Sequence, residues 1–486
     1  MLRLGRQTLV YGLSTAAPAL IALFTLPVVA RRFTTAQYGV LELATTAIAV
    51  ALVVVELGLT SASQRSFFDY SDDQPEERRI VLSTALIAYL ASTILTAGIL
   101  IAAREPLAEF LFNSSHEDTL IVIAAVTLPT TALVNFSREV MRLHFRLRQY
   151  LASTLVAAIV ATAYILFALL VLNERVEAVL LSTVIGSGLA ALYGMVAVRR
   201  DLGHRFSRPE LRTMLDYGLP LVPMAVALWA LALIDRIMLS KLSSLSEVGE
   251  YAMANRLGLL LTLAATAFAT AFSPFMLSLY AEDPEEEKLV RARALIYMSV
   301  AFAIVTVLVS LFAREAFKVI APHFTTAYEA VGLVAFGLAV SGVANIAVGG
   351  IALARRTRSL AALAGLAAGV NIVLNIFLIP PWGMLGAAFA TAVAYTLLFA
   401  LYYFQAQRVY FTPYQLPRLV RLAVFTAAAA AVGAIPIEPL ALSLAIKSAV
   451  VILFLLALRL AHIVRSEEIS AMRALVREQV ASLTSS

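Results

Sequence analysis

Apolar runs separated by short polar segments recur fourteen times along the chain, near residues 7–30, 40–62, 80–102, 118–136, 150–172, 176–198, 214–235, 251–275, 295–313, 329–353, 359–379, 383–405, 418–436 and 442–463. A helix needs about 20 mostly apolar residues to cross the hydrocarbon of a bilayer, and every run comes near that length. The pattern predicts an all-α integral membrane protein with fourteen transmembrane helices. The first run is too long for a signal-peptide core and the second follows at once, so the first reads as a retained helix.

The polar segments give the orientation, because cytoplasmic loops keep an excess of Lys and Arg. With the N-terminus inside, 27 of the 37 basic residues fall in inner segments, 9 in outer ones, and Arg256 lies inside a span. A miscounted helix would scramble this alternation in every later loop. Both termini are therefore expected in the cytoplasm, with the chain in the inner (plasma) membrane. Beyond Ser466 the tail places Ile469, Met472, Val476, Val480 and Leu483 on one helical face, suited to the inner leaflet or to a partner.

The chain also repeats itself. Tyr11-Gly12-Leu13 is answered by Tyr217-Gly218-Leu219, Pro18 and Arg31 by Pro223 and Arg236, and Gly39 by Gly249. The loop Asp69-Tyr70 to Pro75-Glu76-Glu77-Arg78 is likewise answered by Leu279-Tyr280 to Pro284-Glu285-Glu286-Glu287-Lys288. Six helices per copy is an even number, so both copies cross with the same polarity, related by a pseudo-two-fold axis along the membrane normal. The expected organisation is an N-terminal lobe (residues 1–198), a basic cytoplasmic linker (199–213) and a C-terminal lobe (214–405). Two unrepeated helices (406–463) and the tail (464–486) follow. Parallel lobes of this kind hold a site between them and alternate its exposure, which points to transport.

Ionisable residues are costly in lipid, so those inside spans are the default site candidates. Glu42 and Glu56 lie at opposite ends of helix 2, Asp235 and Arg236 end helix 7, Asn255 and Arg256 lie early in helix 8, and Arg31 and Arg32 end helix 1. Arg31, Arg32, Glu42, Asp235, Arg236, Asn255 and Arg256 are candidates for a cavity between the lobes. Arginine's planar fork matches phosphate oxygens, so a cationic cavity suits a phosphate-bearing substrate. Arg31, Arg32 and Arg236 could equally snorkel to the interface, and Asp235 with Arg256 could pair to close the lobes. Arg256 lies deepest, and alanine at Arg256 or Arg31 is expected to abolish activity. Glu56 with Arg65 forms a candidate gate, or an interfacial salt bridge. Asn345, Asn371 and Asn375 read as interhelical glue, and Gly365-Leu-Ala-Ala-Gly369 as a close-packing stripe.

Composition narrows the chemistry. With 61% hydrophobic and 14% charged residues and a mean hydropathy of +0.87, the chain could not cover its surface in water. It has no cysteine, and its five histidines are scattered, so no metal site, catalytic residue or cofactor is expected. The net charge of +6 sits largely on inner loops, so nucleic acid is not an expected partner. No P-loop spacing occurs, so uphill work would need a coupling ion, H+ or Na+, or substrate supply. Every loop is short, which leaves no room for an extramembrane catalytic domain.

Several motifs together resemble one family. Pro27, Arg31-Arg32-Phe33 and Tyr38-Gly39 are similar to the first-helix signature of the polysaccharide and oligosaccharide flippases of the multidrug/oligosaccharidyl-lipid/polysaccharide exporter superfamily. Tyr217-Gly218-Leu219-Pro220, Asp235-Arg236 and Val248-Gly249-Glu250-Tyr251 resemble its midpoint motif, and Asn371 to Asn375, Ile379-Pro380 and Gly383 to Ala388 its helices 11 and 12. Pro380-Pro381-Trp382-Gly383 departs from the usual single proline, which affects the local turn. The resemblance implies a flippase, not an enzyme, that moves undecaprenyl-diphosphate-linked oligosaccharide from the inner to the outer leaflet for O-antigen, capsule or exopolysaccharide assembly. Its partners would be membrane lipid, the lipid-linked oligosaccharide, and the polymerase and glycosyltransferases of the pathway. The alternatives are an ion-coupled multidrug or other small-molecule antiporter of the same superfamily, and a membrane enzyme or scaffold of polysaccharide assembly.

Overall fold

A computed structural model describes residues 18, 21, 24–71, 73–172, 176–203, 205–353 and 358–463. The first copy of the Tyr-Gly-Leu motif, at residues 11–13, and the amphipathic face of the tail lie outside the described residues. The described chain is built of helices: α1 (residues 24–32), α2 (Thr35–Glu56), α3 (Leu59–Phe68), α4 (Pro75–Ala102), α5 (Arg104–Phe112), α6 (Asp118–Leu143), α7 (Leu147–Phe167) and α8 (Val176–Val198). After these come α9 (Arg208–Gly218), α10 (Val222–Leu242), α11 (Leu245–Glu282), α12 (Pro284–Ile320), α13 (Ala327–Leu353), α14 (Arg358–Val409), α15 (Leu416–Ala431) and α16 (Leu440–Leu460). Among the described residues, twelve helical stretches are long and apolar enough to cross a membrane. One of them, α14, is two spans: at 52 residues it would far outreach a bilayer, and it reverses at Gly383 (φ 52°). With α1, the described end of the first apolar run, this accounts for the fourteen spans, and the chain is a multi-pass membrane protein.

Helix ends are set by local chemistry, and the repeat is visible in it. Thr34 caps α2 reciprocally with Gln37 (3.2 and 3.1 Å), and 210 residues on Ser244 caps α11 by accepting from the Glu247 amide (3.2 Å). The second echo is at the following turn. Pro75-Glu76-Glu77 opens α4 and Pro284 to Glu287 opens α12, each with proline in the first turn and acids at the dipole's positive end. The Glu247 side chain reaches across to the Met384 amide, beside Gly383. A Cβ on Gly383 would stand 2.1 Å from that carboxylate, so only glycine makes this reversal.

Within the first lobe α6 packs on α2, α4 and α8, and α7 on α8; within the second α13 is enclosed by α11, α12 and α14, while α10 lies along α14. Helix α15 attaches to the outside of α12 and α13, and α16 to α15 and α12. Gly365 and Gly369 meet nothing within 4 Å of a would-be Cβ, so they do not form the expected close-packing stripe. The contact belongs instead to the neighbouring Ala364, Ala367 and Ala368, which are buried in the cluster that α14 forms with α10 and α13. Large apolar side chains such as Ile94, Leu192, Phe377 and Leu460 stay exposed, as lipid-facing positions must.

Two basic residues counted with the polar segments, Arg291 among the inner and Lys447 among the outer, are buried within helices. Arg291 donates to Glu287 (2.7 Å from Nε) and to the Ile346 carbonyl (3.0 Å), and Tyr410 closes the group by donating to Glu287 (2.7 Å). Lys447 is fully buried and donates to both oxygens of Glu315 (2.7 and 2.8 Å). Both are paired, which is how a charge persists away from water.

Candidate functional site

The lobes meet chiefly where α2 crosses α11, with α10 alongside. "Outer" and "inner" follow the orientation expected from the basic residues. The crossing is tight because it is made of glycine: a Cβ on Gly39 would lie 2.0 Å from the Leu245 carbonyl oxygen, and one on Gly249 1.9 Å from that of Thr35. Around it, Thr35 and Ser246 share a hydroxyl hydrogen bond (2.5 Å), Arg31 donates to the Val319 carbonyl (2.6 Å), and Asn113 joins Lys241 (2.6 Å) to the Ser240 carbonyl (3.1 Å). These ties all lie at the outer end.

Burial falls away toward the inner end. Residues 248–254 of α11 are all buried, whereas much of 260–282 is exposed; α10 is buried at Leu231, Asp235, Arg236, Leu239 and Ser240, but the chain is exposed at Leu219, Leu221, Val226 and Leu228. Toward the inner end the lobes stay in contact where Gly58, after the left-handed Leu57, backs onto Gly218. There the linker helix α9 is tied to the first lobe: Tyr70 donates to Glu210 (2.6 Å), Arg65 lies over the Tyr217 ring (4.7 Å), and the Gly203 and Ser207 amides donate to Ser83 and Thr84 (2.7 and 3.0 Å). The bond to Glu210 pushes the Tyr70 phenol up to about 12, so it stays a donor at every physiological pH.

At the crossing the structure brings together four of the charges singled out in the sequence. Glu42 of α2 pairs with Arg256 of α11 and lies 3.5 Å from Arg236 Nε of α10. Arg256 Nε also donates to the Tyr38 hydroxyl (2.9 Å). Arg236 donates to the Ala232 carbonyl (2.9 Å) and stands 3.5 Å from Asp235. Its Nε, though buried, has no hydrogen-bond acceptor. Arg256 keeps 36% of its side chain exposed against 9% for Arg236, so Arg256 is the more accessible of the two forks. Glu42 and Asp235 balance the two arginines, and the group is neutral rather than cationic as expected. The reason is the cost of unpaired charge at this depth.

Asp235 faces away from Glu42 into a second group. It accepts from the Tyr251 hydroxyl and from Thr391 (3.3 Å); Thr391 accepts from Asn371 (3.4 Å), and Asn375 donates to Asn371 (3.1 Å). The Asn375 carbonyl oxygen is buried without a partner. The result is a nest, a buried hydrogen-bonded chain that ends on one carboxylate, at the meeting of α10, α11 and both halves of α14. The sequence does not single out Thr391 or Tyr251 as site residues. The i, i+4 spacing of Asn371 and Asn375 is the available sign.

The remaining candidates lie elsewhere. Arg31 and Arg32 are exposed at the outer end of α1. Asn255 donates to the Tyr251 carbonyl (2.9 Å), within its own helix. Glu56 and Arg65 do not pair: Glu56 accepts from Tyr89 (3.5 Å) and Arg65 stacks on Tyr217, because the left-handed turn at Leu57 and Gly58 swings α3 away from the axis of α2.

A family model described as "Polysaccharide biosynthesis protein" matches residues 4–280, more than half of the chain. No curated protein matches. Among solved structures, the chain is similar to "Lipid II flippase MurJ, inward closed conformation" at 14% identity and a TM-score of 0.74, covering 92% of this chain and 98% of that one. It is also similar to an inward-facing multidrug resistance MATE family transporter of the MOP superfamily (12% identity, TM-score 0.66, 83% and 95% covered). An outward-facing MATE transporter of the same superfamily gives 15% identity and a TM-score of 0.57, with 86% and 96% covered. At these identities the likeness is one of fold.

Proposed function

The chain belongs to the polysaccharide biosynthesis protein family, and we propose that this member carries a diphosphate-linked lipid oligosaccharide from the inner to the outer leaflet by alternating access. The observation that carries the reading is the position of the two arginines. Both sit on the second lobe, and both are engaged by one carboxylate, Glu42, from the first. A diphosphate reaching the crossing from the inner side competes with Glu42 for the guanidinium forks, and the acceptorless Arg236 Nε is a donor it can satisfy. Taking the arginines from Glu42 removes ion pairs that hold the lobes together, so cargo binding itself favours their rocking.

A polyprenyl tail needs an apolar path that stays open to lipid. Two adjoining cavities of about 330 and 890 Å³ run between α13, the second half of α14 and α15, sharing Phe336, Thr396 and Ala400, with almost wholly apolar walls. The sugar and phosphates then travel between the lobes while the tail keeps to the bilayer. The Asp235 nest supplies a place for a coupling ion, H+ or Na+, since a buried carboxylate that meets two hydroxyls, with the amides of Asn371 and Asn375 behind them, suits either. The inner (plasma) membrane, and a pathway with a polymerase and glycosyltransferases, complete the setting.

The test is reconstitution into proteoliposomes with a fluorescent lipid-linked oligosaccharide. Flipping above the protein-free rate is expected, with Asp235→Asn losing the dependence on an imposed Na+ or H+ gradient. A protein-free rate in wild type would end the flippase reading, and a gradient dependence unchanged in Asp235→Asn would end the ion assignment. A second reading, ion-coupled antiport of a small molecule, draws on the same Asp235 nest; it requires gradient-driven uptake of an organic cation in liposomes that show no flipping.

A further inference from the structure

The first lobe contains a second buried acidic pocket, remote from the α2–α11 crossing, between α3, α4 and α6. Glu139 of α6 is only 8% exposed. One of its oxygens pairs with Arg142 (2.5 Å), while the other, Oε1, is buried with no hydrogen-bond partner. Glu139 lines a cavity of about 10 Å³ together with Thr60, Ser63 and Tyr89, room for one guest the size of a water molecule. Ser63 spends its proton on the Thr60 carbonyl (3.1 Å), so its oxygen remains free as an acceptor. The Tyr89 hydroxyl leads on to Glu56 (3.5 Å), which forms no ion pair among the described residues and whose charged neighbour is Glu139.

With Glu56 ionised, Glu56, Glu139 and Arg142 sum to one negative charge, partly withdrawn from water. An unpaired buried charge is expensive, and an oxygen with no donor to meet it adds to the cost. A single hard monovalent cation answers both: it cancels the charge and takes the free Oε1 with neighbouring hydroxyl oxygens as ligands. A divalent ion would leave an excess positive charge and wants about six or more oxygens, more than this pocket holds. We propose that this pocket binds one Na+ ion, held by Glu139 Oε1 and the oxygens of Ser63, Thr60 and Tyr89, with Glu56 as the balancing charge. The pocket lies beside the left-handed break at Leu57 and Gly58, the point where the end of α2 touches Gly218 of the other lobe. A bound ion would fasten α3 to α4 and α6 there and hold the inner contact in place.

The test is thermal unfolding of the purified full chain in nanodiscs at constant pH, with NaCl against equal choline chloride. It is run in wild type and in Asp235→Asn, which silences the other candidate ion site. Na+ is expected to raise Tm by at least about 3 °C in Asp235→Asn, as a ligand present well above its Kd should. Adding Glu139→Gln or Glu56→Gln removes the rise, and Ser63→Ala weakens it. Should Glu139→Gln fail to fold, Glu56→Gln and Ser63→Ala decide the matter alone. A rise matched by KCl, or one that survives both glutamine variants, overturns the site. So does the absence of a rise in Asp235→Asn; a rise seen in wild type and lost there belongs to the nest described above, not to this pocket.

Discussion

Arg256→Ala is expected to lower the flipping rate in proteoliposomes by about 100-fold or more, the scale on which a preorganised charge contact to a phosphate is felt. Arg256 is the more exposed of the two guanidiniums at the crossing, and it spans Tyr38 and Glu42 at once. A lysine, a point charge without the fork, restores part of the rate at most. Glu42→Gln separates this account from a purely structural one. It frees both arginines, so the diphosphate headgroup binds more tightly while turnover slows, because the exchange of partners that releases the lobes is gone. Normal rates in Arg256→Ala, or weaker headgroup binding in Glu42→Gln, would show that the arginines serve packing alone. Arg31→Ala, which the sequence puts on a par with Arg256→Ala, now has a smaller expected effect, since Arg31 is an exposed tie to the Val319 carbonyl.

Gly249→Val is expected to open the outer end. A Cβ there would stand 1.9 Å from a backbone oxygen of the opposite lobe, and backbone cannot yield as a side chain can. The helices must part, at a cost of about 1–3 kcal/mol to the closed crossing. The chain contains no cysteine, so a single one introduced by Ala254→Cys, buried beside the crossing, reports on this directly. It should be inert to a membrane-impermeant maleimide added outside in the parent and react in Gly249→Val, with flipping reduced at least about tenfold through loss of the inward-open, outer-closed state. Unchanged labelling and rate would mean that the crossing is not a gate.

Much of the architecture is legible from periodicity alone, because lipid forces each apolar run to be a span and each gap to be a turn. The reversal at Gly383 falls at the start of the run read near 383–405, just after the gap that follows 359–379, and Gly383 alone leaves helical geometry inside α14. Ends are less legible: α12 begins at Pro284, well before its apolar run, so Arg291 reads as a loop residue although it is buried on Glu287. The site follows the same rule. Glu42, Asp235, Arg236 and Arg256 stand out because charge is rare in lipid, but their pairing does not, since spacing along the chain carries no information on which carboxylate meets which arginine across two lobes. Thr391 escapes notice, and Tyr38 and Tyr251 stand only as motif residues without a role in the site, because hydroxyls are cheap enough in a membrane to be common there. Glu139 is hidden among the arginines of its own inner segment.

The balance of charge at the crossing has an electrical consequence. With no ion on Asp235, the group Glu42, Asp235, Arg236 and Arg256 carries no net charge, so when the empty, ion-free lobes rock, it moves none through the membrane field. The cargo differs. A diphosphate carrying two negative charges outward moves with an inside-negative potential and gains about 4.6 kcal/mol per 100 mV. Voltage would then drive the loaded crossing and leave an ion-free return of the empty carrier untouched, a rectification readable as faster flipping in one direction under an imposed potassium diffusion potential.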